Sequence, residues 1–470
     1  MKTKNIITQT DGYKFLNNSN LQNVSNVYSY FESRSGAKYP TTVFCGLQYF
    51  LKEYLEGVVV TKDKIDWAKI VAKNYLGSEH DFNEKMWQTI VNEYDGKLPV
   101  IIKAVSEGSE IPESNVLMTI TLSVDDERLS GLPNHLETLL TNVWACSTTA
   151  TKSKYIKRII KSYWGNTAET FDGMLFTYHD FGMRSCKSPE AGAICGFGHL
   201  TNFLGTDTVS AWELAHDYYN EDPANISYSV WASEHNYMMY KGRNGEAEVL
   251  KEIFHNRPTG IVSIVSDTYN IYNFVQNLIG KEFHDVVLNR NGRTVIRPDS
   301  VTPQHDTQAK MTLWILESLW RDFGGIVNSK RYKVLDTHIR VLYGDSISED
   351  SVKDILETAK NAGFSAENIV FGCGSYLLDQ HNRDTQRFTY KSSAMRINGV
   401  WQGVFKSPLG SNKKSKKGRM KLVKTENSYK TLTEYDEGYA EAKDELVEVF
   451  RNGEITKQYT LSEIRERAKI

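Results

Sequence analysis

Cysteine, proline and long apolar runs are all scarce in this chain of 470 residues. The five cysteines, Cys45, Cys146, Cys186, Cys195 and Cys373, are odd in number, widely spaced and without a CxxC pair, which argues against a disulfide framework or a thiolate zinc site. No stretch approaches the ~18 consecutive apolar residues of a membrane span. The basic start MKTKNIITQTDGYKFLNN has no apolar core, so no secretory signal is expected and the reducing cytoplasm is the expected home. Nor does one charge dominate: 56 Lys and Arg face 58 Asp and Glu, a net charge of -2. Such a balance gives no global field for nucleic acid or an anionic membrane, and anion binding must come from local clusters. Internal repeats and low-complexity spacers are missing too, so domains must be separated by pattern.

What remains is an ordinary folded composition, 40% hydrophobic and 24% charged. At roughly 150 residues per domain the length suits about three units, two of which one barrel could absorb. In TVFCGLQYFLKEYLEGV, Phe44, Leu47, Leu51, Tyr54, Leu55 and Val58 recur at helical spacing. PVIIKAV and NVLMTITLSV flank a polar turn and predict paired strands. Between about residues 170 and 380, short apolar runs end abruptly in a charged residue or glycine: MLFTYHDFG, GTDTV, GIVSIVSD, RTVIRPDS, IRVLYGDS and NIVFGCG. Helical stretches such as LWILESLWRDFG separate them. Such runs suit parallel strands buried on both faces, in a barrel or a doubly wound sheet. Either fold gathers ligands at strand carboxyl ends, where Asp180, Asp207, Asp267, Arg297, Asp299, Asp345 and Gly374 lie. Recurrence in so many units favours a barrel. After residue 385 follow a basic stretch, an acidic stretch read as helical, a hairpin turning at Asn452-Gly453, and a last helix with a Thr460–Glu463 capping box.

Arg297 and Asp299, two apart at a strand end, share one face. Alone they could be a structural ion pair. Asp267 and Asp345 end neighbouring runs, and carboxylates around one mouth repel unless a cation or sugar hydroxyls separate them, which points to a Mg²⁺-bound phosphosugar. FGCGS, Phe371 to Ser375, offers bare backbone to a phosphate, but it and CGFGHL lack the third glycine of a dinucleotide fingerprint. Taken singly, these glycines suit a tight turn, the basic run with Lys413, Lys414, Lys416 and Lys417 a solvated face, and His235 a structural side chain.

Jointly, DGYK, VYSYFESR, HDFGMRS, NFLGTDTV, SEH, SDTYNIYN, IRPDS, YGDSI, ENIVFGCG, SKKGR and VFRNGEITKQY follow the order and spacing of the nicotinamide phosphoribosyltransferase family, from residue 11 to 470. The resemblance implies an irregular α/β barrel of the type II phosphoribosyltransferases at 146–384. It also implies a flanking α+β domain formed by both chain ends, 1–145 and 385–470. The implied reaction moves phosphoribose from phosphoribosyl pyrophosphate to nicotinamide in NAD salvage. Mg²⁺ is the implied cofactor, ATP an activating co-substrate acting through phospho-His235, and the assembly a homodimer with shared sites, without nucleic acid or membrane. Phe181 resembles the aromatic on one face of the pyridine, with Tyr13 of the partner subunit on the other, and Asp207 the acceptor of the carboxamide NH₂. Arg297 and Asp299 resemble groups near ring, ribose and metal, Asp267 a further acid, and Arg184 and His235 pyrophosphate contacts. Arg34, Lys391 and Lys406 resemble a cradle from across the dimer, and Gly344, Asp345, Gly374, Ser375 and Arg383 the ribose and 5′-phosphate pocket. Ser375 stands where the family prefers glycine, a cost of roughly a kcal/mol if its φ is positive. Met183 and Ser185 replace an aromatic and a glycine beside Arg184.

The chemistry fits these residue types. Attack at the anomeric carbon passes an oxocarbenium-like state, stabilised by carboxylates while cations receive the departing polyanion. The alternatives are a nicotinate phosphoribosyltransferase, whose acidic acceptor Asp207 would repel, another phosphosugar barrel enzyme such as a lyase, for which no strand run ends in a Schiff-base lysine, and a non-catalytic nucleotide-binding protein, in which strand-end carboxylates would be lost.

Overall fold

The computed structural model describes residues 4–17, 21–77, 81–410 and 414–469. Lys413 of the basic run lies outside them. The chain forms two compact units, one from Met1–Thr151, Leu214–Asp222 and His381–Lys469, the other from Lys152–Glu213 and Pro223–Gln380.

The first unit is built on a seven-stranded antiparallel sheet in the order Val400–Gly403, Phe388–Ile397, Val24–Ser33, Val116–Leu122, Val100–Ala104, Val447–Arg451, Glu454–Ile455. An amino-terminal strand thus lies between a carboxyl-terminal one and Val116–Leu122, so both chain ends make one sheet. Among its buried polar side chains the Asn26 amide donates to the Leu122 carbonyl and Ser33 to that of Gln386. Asn452 and Gly453 both have positive φ, 52° and 81°, as a type I′ hairpin turn requires. The Thr460–Glu463 capping box is present. Two expectations are corrected. The amphipathic segment is helical only from Leu47, as Leu47–Phe50 continued by a π-helical turn Leu51–Leu55, because Thr41–Val43 pairs with Glu110–Pro112 as strand. The acidic stretch before the hairpin forms turns rather than a helix, and its Asp444 carboxylate accepts the backbone N–H of Leu422 and Leu446.

The second unit is the barrel. Its parallel strands are β1 (Tyr178–Asp180), β2 (Gly205–Thr206), β3 (Trp231–Ala232), β4 (Thr259–Val265), β5 (Asn291–Arg297), β6 (Ile339–Tyr343) and β7 (Ile369–Cys373). They pair as β2-β1-β7-β6-β5-β4-β3. A parallel bridge between Gly205 and Tyr228, just before β3, joins the two ends. There the Tyr228 N–H donates to the Leu204 carbonyl at 2.8 Å and the Thr206 N–H to that of Tyr228 at 3.3 Å. The strands therefore follow chain order around a closed but irregular ring, three of them only two or three residues long. Side chains alternate as the pleat demands: Arg293, Val295 and Arg297 of β5 and Arg340 and Leu342 of β6 face an inner cavity. Ile296, Val341 and Tyr343 are buried on the other side, toward the helices.

Candidate active site

Every barrel strand delivers a functional group just past its carboxyl end. Phe181 and Arg184 follow β1, Asp207 follows β2, His235 follows β3, and Asp267 follows β4. Arg297 ends β5 with Asp299 two residues on, Gly344 and Asp345 follow β6, and Gly374 and Ser375 follow β7. All except Asp267 line one cleft of 630 Å³.

The turn after β1 is held by Asp180, fully buried, whose carboxylate accepts the Gly182 N–H at 2.7 Å and the Thr206 hydroxyl at 3.0 Å. Burial pushes its carboxyl up to about 6 against those hydrogen bonds. The next residue, Phe181, extends the ladder by donating its N–H to the Cys373 carbonyl at 2.7 Å. Its ring lies against Gly372, where a Cβ would come within 2.0 Å of it.

Arg297 donates to the Ser233 carbonyl at 2.7 Å, and its guanidinium stands 6.0 Å from the Phe181 ring centre. Its buried Nε has no hydrogen-bond partner among the described residues. Burial lowers its pKa, opposed by Asp299, Asp207 and Asp267. Burial raises the Asp299 carboxyl; Arg297 and His235 oppose this, while Asp267 and Asp345 add to it. Three carboxylates therefore lie within electrostatic reach of one another. Asp267 sits behind the cleft wall, taking a hydrogen bond from Ser300 at 2.5 Å, with His235 Nε2 3.5 Å from its Oδ1.

Asp207 is anchored at both ends: its N–H donates to the Asp180 carbonyl, and its Oδ1 accepts the Ser229 hydroxyl at 2.5 Å. Phe181, Asp207 and Arg297 also border the inner cavity of 570 Å³, whose far end holds Arg293, Arg340 and Glu367. Ser375 opens the short helix Ser375–Leu378 and is not among the positive-φ residues, so it carries no left-handed strain there. Met183 and Ser185 line the cleft beside Arg184.

The other expected residues lie in the first unit. Arg34, Lys391 and Lys406 surround a small pocket with Tyr30, Thr389 and Lys414. Burial lowers the Lys391 ammonium, opposed by Glu137 and reinforced by Lys14, Arg34 and Lys406. Tyr13 is exposed, and Arg383 lies near enough to oppose the rise that burial, Asp11 and Glu137 impose on its hydroxyl.

Asp180 appeared in the sequence as a strand end but its bracing role did not, Gly372 appeared within FGCGS as bare backbone for a phosphate rather than as the seat of the Phe181 ring, and Ser229 was missed. Gly372 shows only as a second glycine two before Gly374; Ser229 carries no local signal.

The chain matches the model of the "Nicotinate phosphoribosyltransferase (NAPRTase) family" over residues 176–454 and that of the "Nicotinamide phosphoribosyltransferase, N-terminal domain" over 5–102. It is 38% identical over 449 residues to a nicotinamide phosphoribosyltransferase of Xanthomonas campestris pv. campestris, covering 94% of this chain and 93% of that one. It is 33% identical to one of Acinetobacter baylyi, covering 79% and 76%. Among solved structures, its fold is similar to nicotinate-nucleotide pyrophosphorylase from Pyrococcus furiosus (TM-score 0.60, 16% identity, 98% and 94% covered). It is also similar to human nicotinic acid phosphoribosyltransferase (TM-score 0.52, 14% identity, 95% and 89% covered). With its strand ends, its barrel and these relatives in agreement, the chain belongs to the nicotinate phosphoribosyltransferase family and stands within it among the nicotinamide phosphoribosyltransferases.

Proposed function

We propose that this protein transfers phosphoribose from phosphoribosyl pyrophosphate to nicotinamide, giving nicotinamide mononucleotide and pyrophosphate in the cytoplasmic salvage of NAD. The observation that carries this reading is the meeting of Phe181, Asp207 and Arg297 between the cleft and the inner cavity, one step from the Asp299 carboxylate. The pyridine rests on Phe181. Asp207, one oxygen already occupied by Ser229, turns the other toward the carboxamide NH₂ and repels a carboxylate in its place. The pyridine nitrogen then attacks the anomeric carbon as the bond to pyrophosphate breaks, the electron pair leaving with pyrophosphate. No protein nucleophile is needed. The carboxylates of Asp299 and Asp345 stabilise the cationic sugar, and Arg184 and Arg297 face the leaving polyanion.

The site suits a hard divalent cation: the donors are carboxylate oxygens, and Asp267 Oδ1 is buried without a hydrogen-bond partner. Mg²⁺ takes most of its ligands from water and phosphates and needs only one or two carboxylates. Asp299 would hold it, through water, and the ion would neutralise the leaving charge. In a homodimer, Tyr13 covers the other face of the pyridine in the second subunit's site, and Arg34, Lys391 and Lys406 complete its pyrophosphate cradle. His235, beside Asp267, takes the ATP γ-phosphate. The test is a coupled assay offering nicotinamide and nicotinate separately with phosphoribosyl pyrophosphate and Mg²⁺. Turnover of nicotinamide in clear preference to nicotinate is expected, and the reverse preference overturns the reading.

A further inference from the structure

The basic pocket of the first unit does not end where the cradle ends. The space that Arg34, Lys391 and Lys406 border measures only about 40 Å³. Beside it opens a bowl of 450 Å³ that none of these roles uses, and Arg34, Lys414 and Ser415 wall both spaces. That common wall is pinned: the Lys406 N–H donates to the Ser415 hydroxyl at 2.8 Å, and the Ser415 N–H to the Lys406 carbonyl at 3.0 Å.

The bowl is built from cations. Arg34, Arg387, Lys414 and Lys416 line it against one carboxylate, Glu32, which Lys416 already pairs. Among the described residues, Arg34, Arg387 and Lys414 have no carboxylate partner, and the buried Nε of Arg34 has no hydrogen-bond partner of any kind. The next carboxylate, Glu113, accepts the N–H groups of Gly36 and Ala37 at 2.8 and 3.1 Å. Arg387 is fixed at the rim: its Nη1 donates to the Ser35 carbonyl at 2.7 Å, and it comes so close to Gly36, at φ 81°, that a Cβ there would stand 2.5 Å away. Like charges held together this way repel one another unless an anion from outside separates them.

We propose that the bowl is a second anion subsite continuous with the cradle, and that the ligand of the two together is a linear oligophosphate of three or more phosphates. Two phosphates lie in the cradle and the next lies in the bowl. Arg34 and Lys414 border both parts, so a chain longer than pyrophosphate keeps the cradle and adds the charge-assisted hydrogen bonds of Arg387. Because it occupies the cradle, such a chain excludes the donor. This rests on the reading that Arg34, Lys391 and Lys406 receive pyrophosphate.

The test is titration calorimetry of the full-length enzyme with pyrophosphate, tripolyphosphate and ATP. Tripolyphosphate should bind at least tenfold more tightly than pyrophosphate and compete with phosphoribosyl pyrophosphate. ATP carries the same chain with a nucleoside on one end: an advantage it shares marks a nucleotide as the ligand, and one confined to tripolyphosphate marks a free inorganic chain, either of which supports the subsite. Arg387→Gln removes the guanidinium. Ser114→Asp sets a negative charge in the bowl at a φ of 66°, which aspartate tolerates, and Ser114→Asn is its neutral control. Arg387→Gln and Ser114→Asp should bring the preference for tripolyphosphate below threefold while pyrophosphate affinity stays within threefold of the parent's, and Ser114→Asn should keep the preference. If Arg387→Gln does not fold, the Ser114 pair alone decides. No preference in the parent, one that survives Ser114→Asp, or one lost in Ser114→Asn as well, overturns the subsite. Pyrophosphate affinity unchanged in Lys406→Ala overturns the cradle reading instead, whatever the bowl variants do.

Discussion

The ring of Phe181 lies directly over the bare Cα of Gly372, across the β1–β7 pair, leaving no space for a methyl group. The ring cannot hold its place above any other residue. Gly372→Ala should therefore displace Phe181 and raise the KM for nicotinamide at least tenfold, with a smaller change for the donor. Overpacking of this kind costs about 1–3 kcal/mol of stability, readable in urea unfolding. An unchanged nicotinamide KM would show that the ring's position does not matter to the acceptor.

Asp207 should set acceptor choice. Asp207→Ala removes a hydrogen bond to a charged group, worth about 1.5–3 kcal/mol, and the loss in kcat/KM should fall on nicotinamide and spare nicotinate. Ser229→Ala should act in the same direction with a smaller effect, because it frees an oxygen of Asp207 rather than removing it. Equal losses for both acceptors in steady-state kinetics would refute this.

Asp180 predicts a pH-dependent stability difference. Its folded carboxyl titrates near 6 against an ordinary 3.8, so the folded state holds the proton more tightly than the unfolded one. Its contribution is therefore most favourable below pH ~4 and is lost as pH rises through ~6. At about 1.4 kcal/mol per unit, the loss is on the order of 1–3 kcal/mol. Asp180→Asn does not titrate, so its stability relative to the parent should improve by that amount between pH 4 and 7. A constant difference in denaturant midpoints across that range would exclude the effect.

The proposed sharing of sites between two subunits is open to a complementation experiment. Arg34→Ala and Asp299→Ala should each be inactive alone, while mixed dimers regain activity because one of their two sites has neither defect. Mixed dimers shown by tag pull-down to form, yet inactive, would rule the arrangement out.

His235→Ala should abolish stimulation by ATP and lower basal transfer, and His235→Glu should keep more of the basal rate by mimicking a phosphate's charge. Initial rates with and without ATP, together with ³²P transfer from γ-labelled ATP to protein, decide it. Undiminished labelling in the Ala variant would return His235 to a structural role.

The barrel and the rim of its site were legible because both rest on local pattern. Apolar runs cut off by Asp207, Asp267, Asp299 and Asp345 announce parallel strands and, at the same places, the groups those strands present. The hairpin at Asn452-Gly453 and the cap at Thr460 were visible for a similar reason, since their conformations depend on two or three adjacent residues. Contacts set by tertiary packing were hidden. Ser229 meets Asp207 from 22 positions away, and Lys152 meets Gln380 across 228; neither spacing leaves a periodic trace. The acidic stretch misled because its Asp444 carboxylate binds backbone N–H groups, that of Leu422 in the strand Met420–Lys424 and that of Leu446, and holds the segment in turns.

The bridge at Tyr228 gives the barrel a seam. Two backbone hydrogen bonds close it, beside the equally short β1–β2 and β3–β4 pairs and against seven paired residues between β5 and β4, so the ring should open on this side first. Local opening is cheapest where few bonds must break at once, and amide exchange at Thr206 and Tyr228 should be faster than along the β4–β5 pair. The Ser229–Asp207 hydrogen bond crosses the same seam as a third stitch. An acceptor that grips Asp207 would draw the two sides together, so barrel breathing and acceptor occupancy become one equilibrium, and bound nicotinamide should slow exchange on strands that it does not touch.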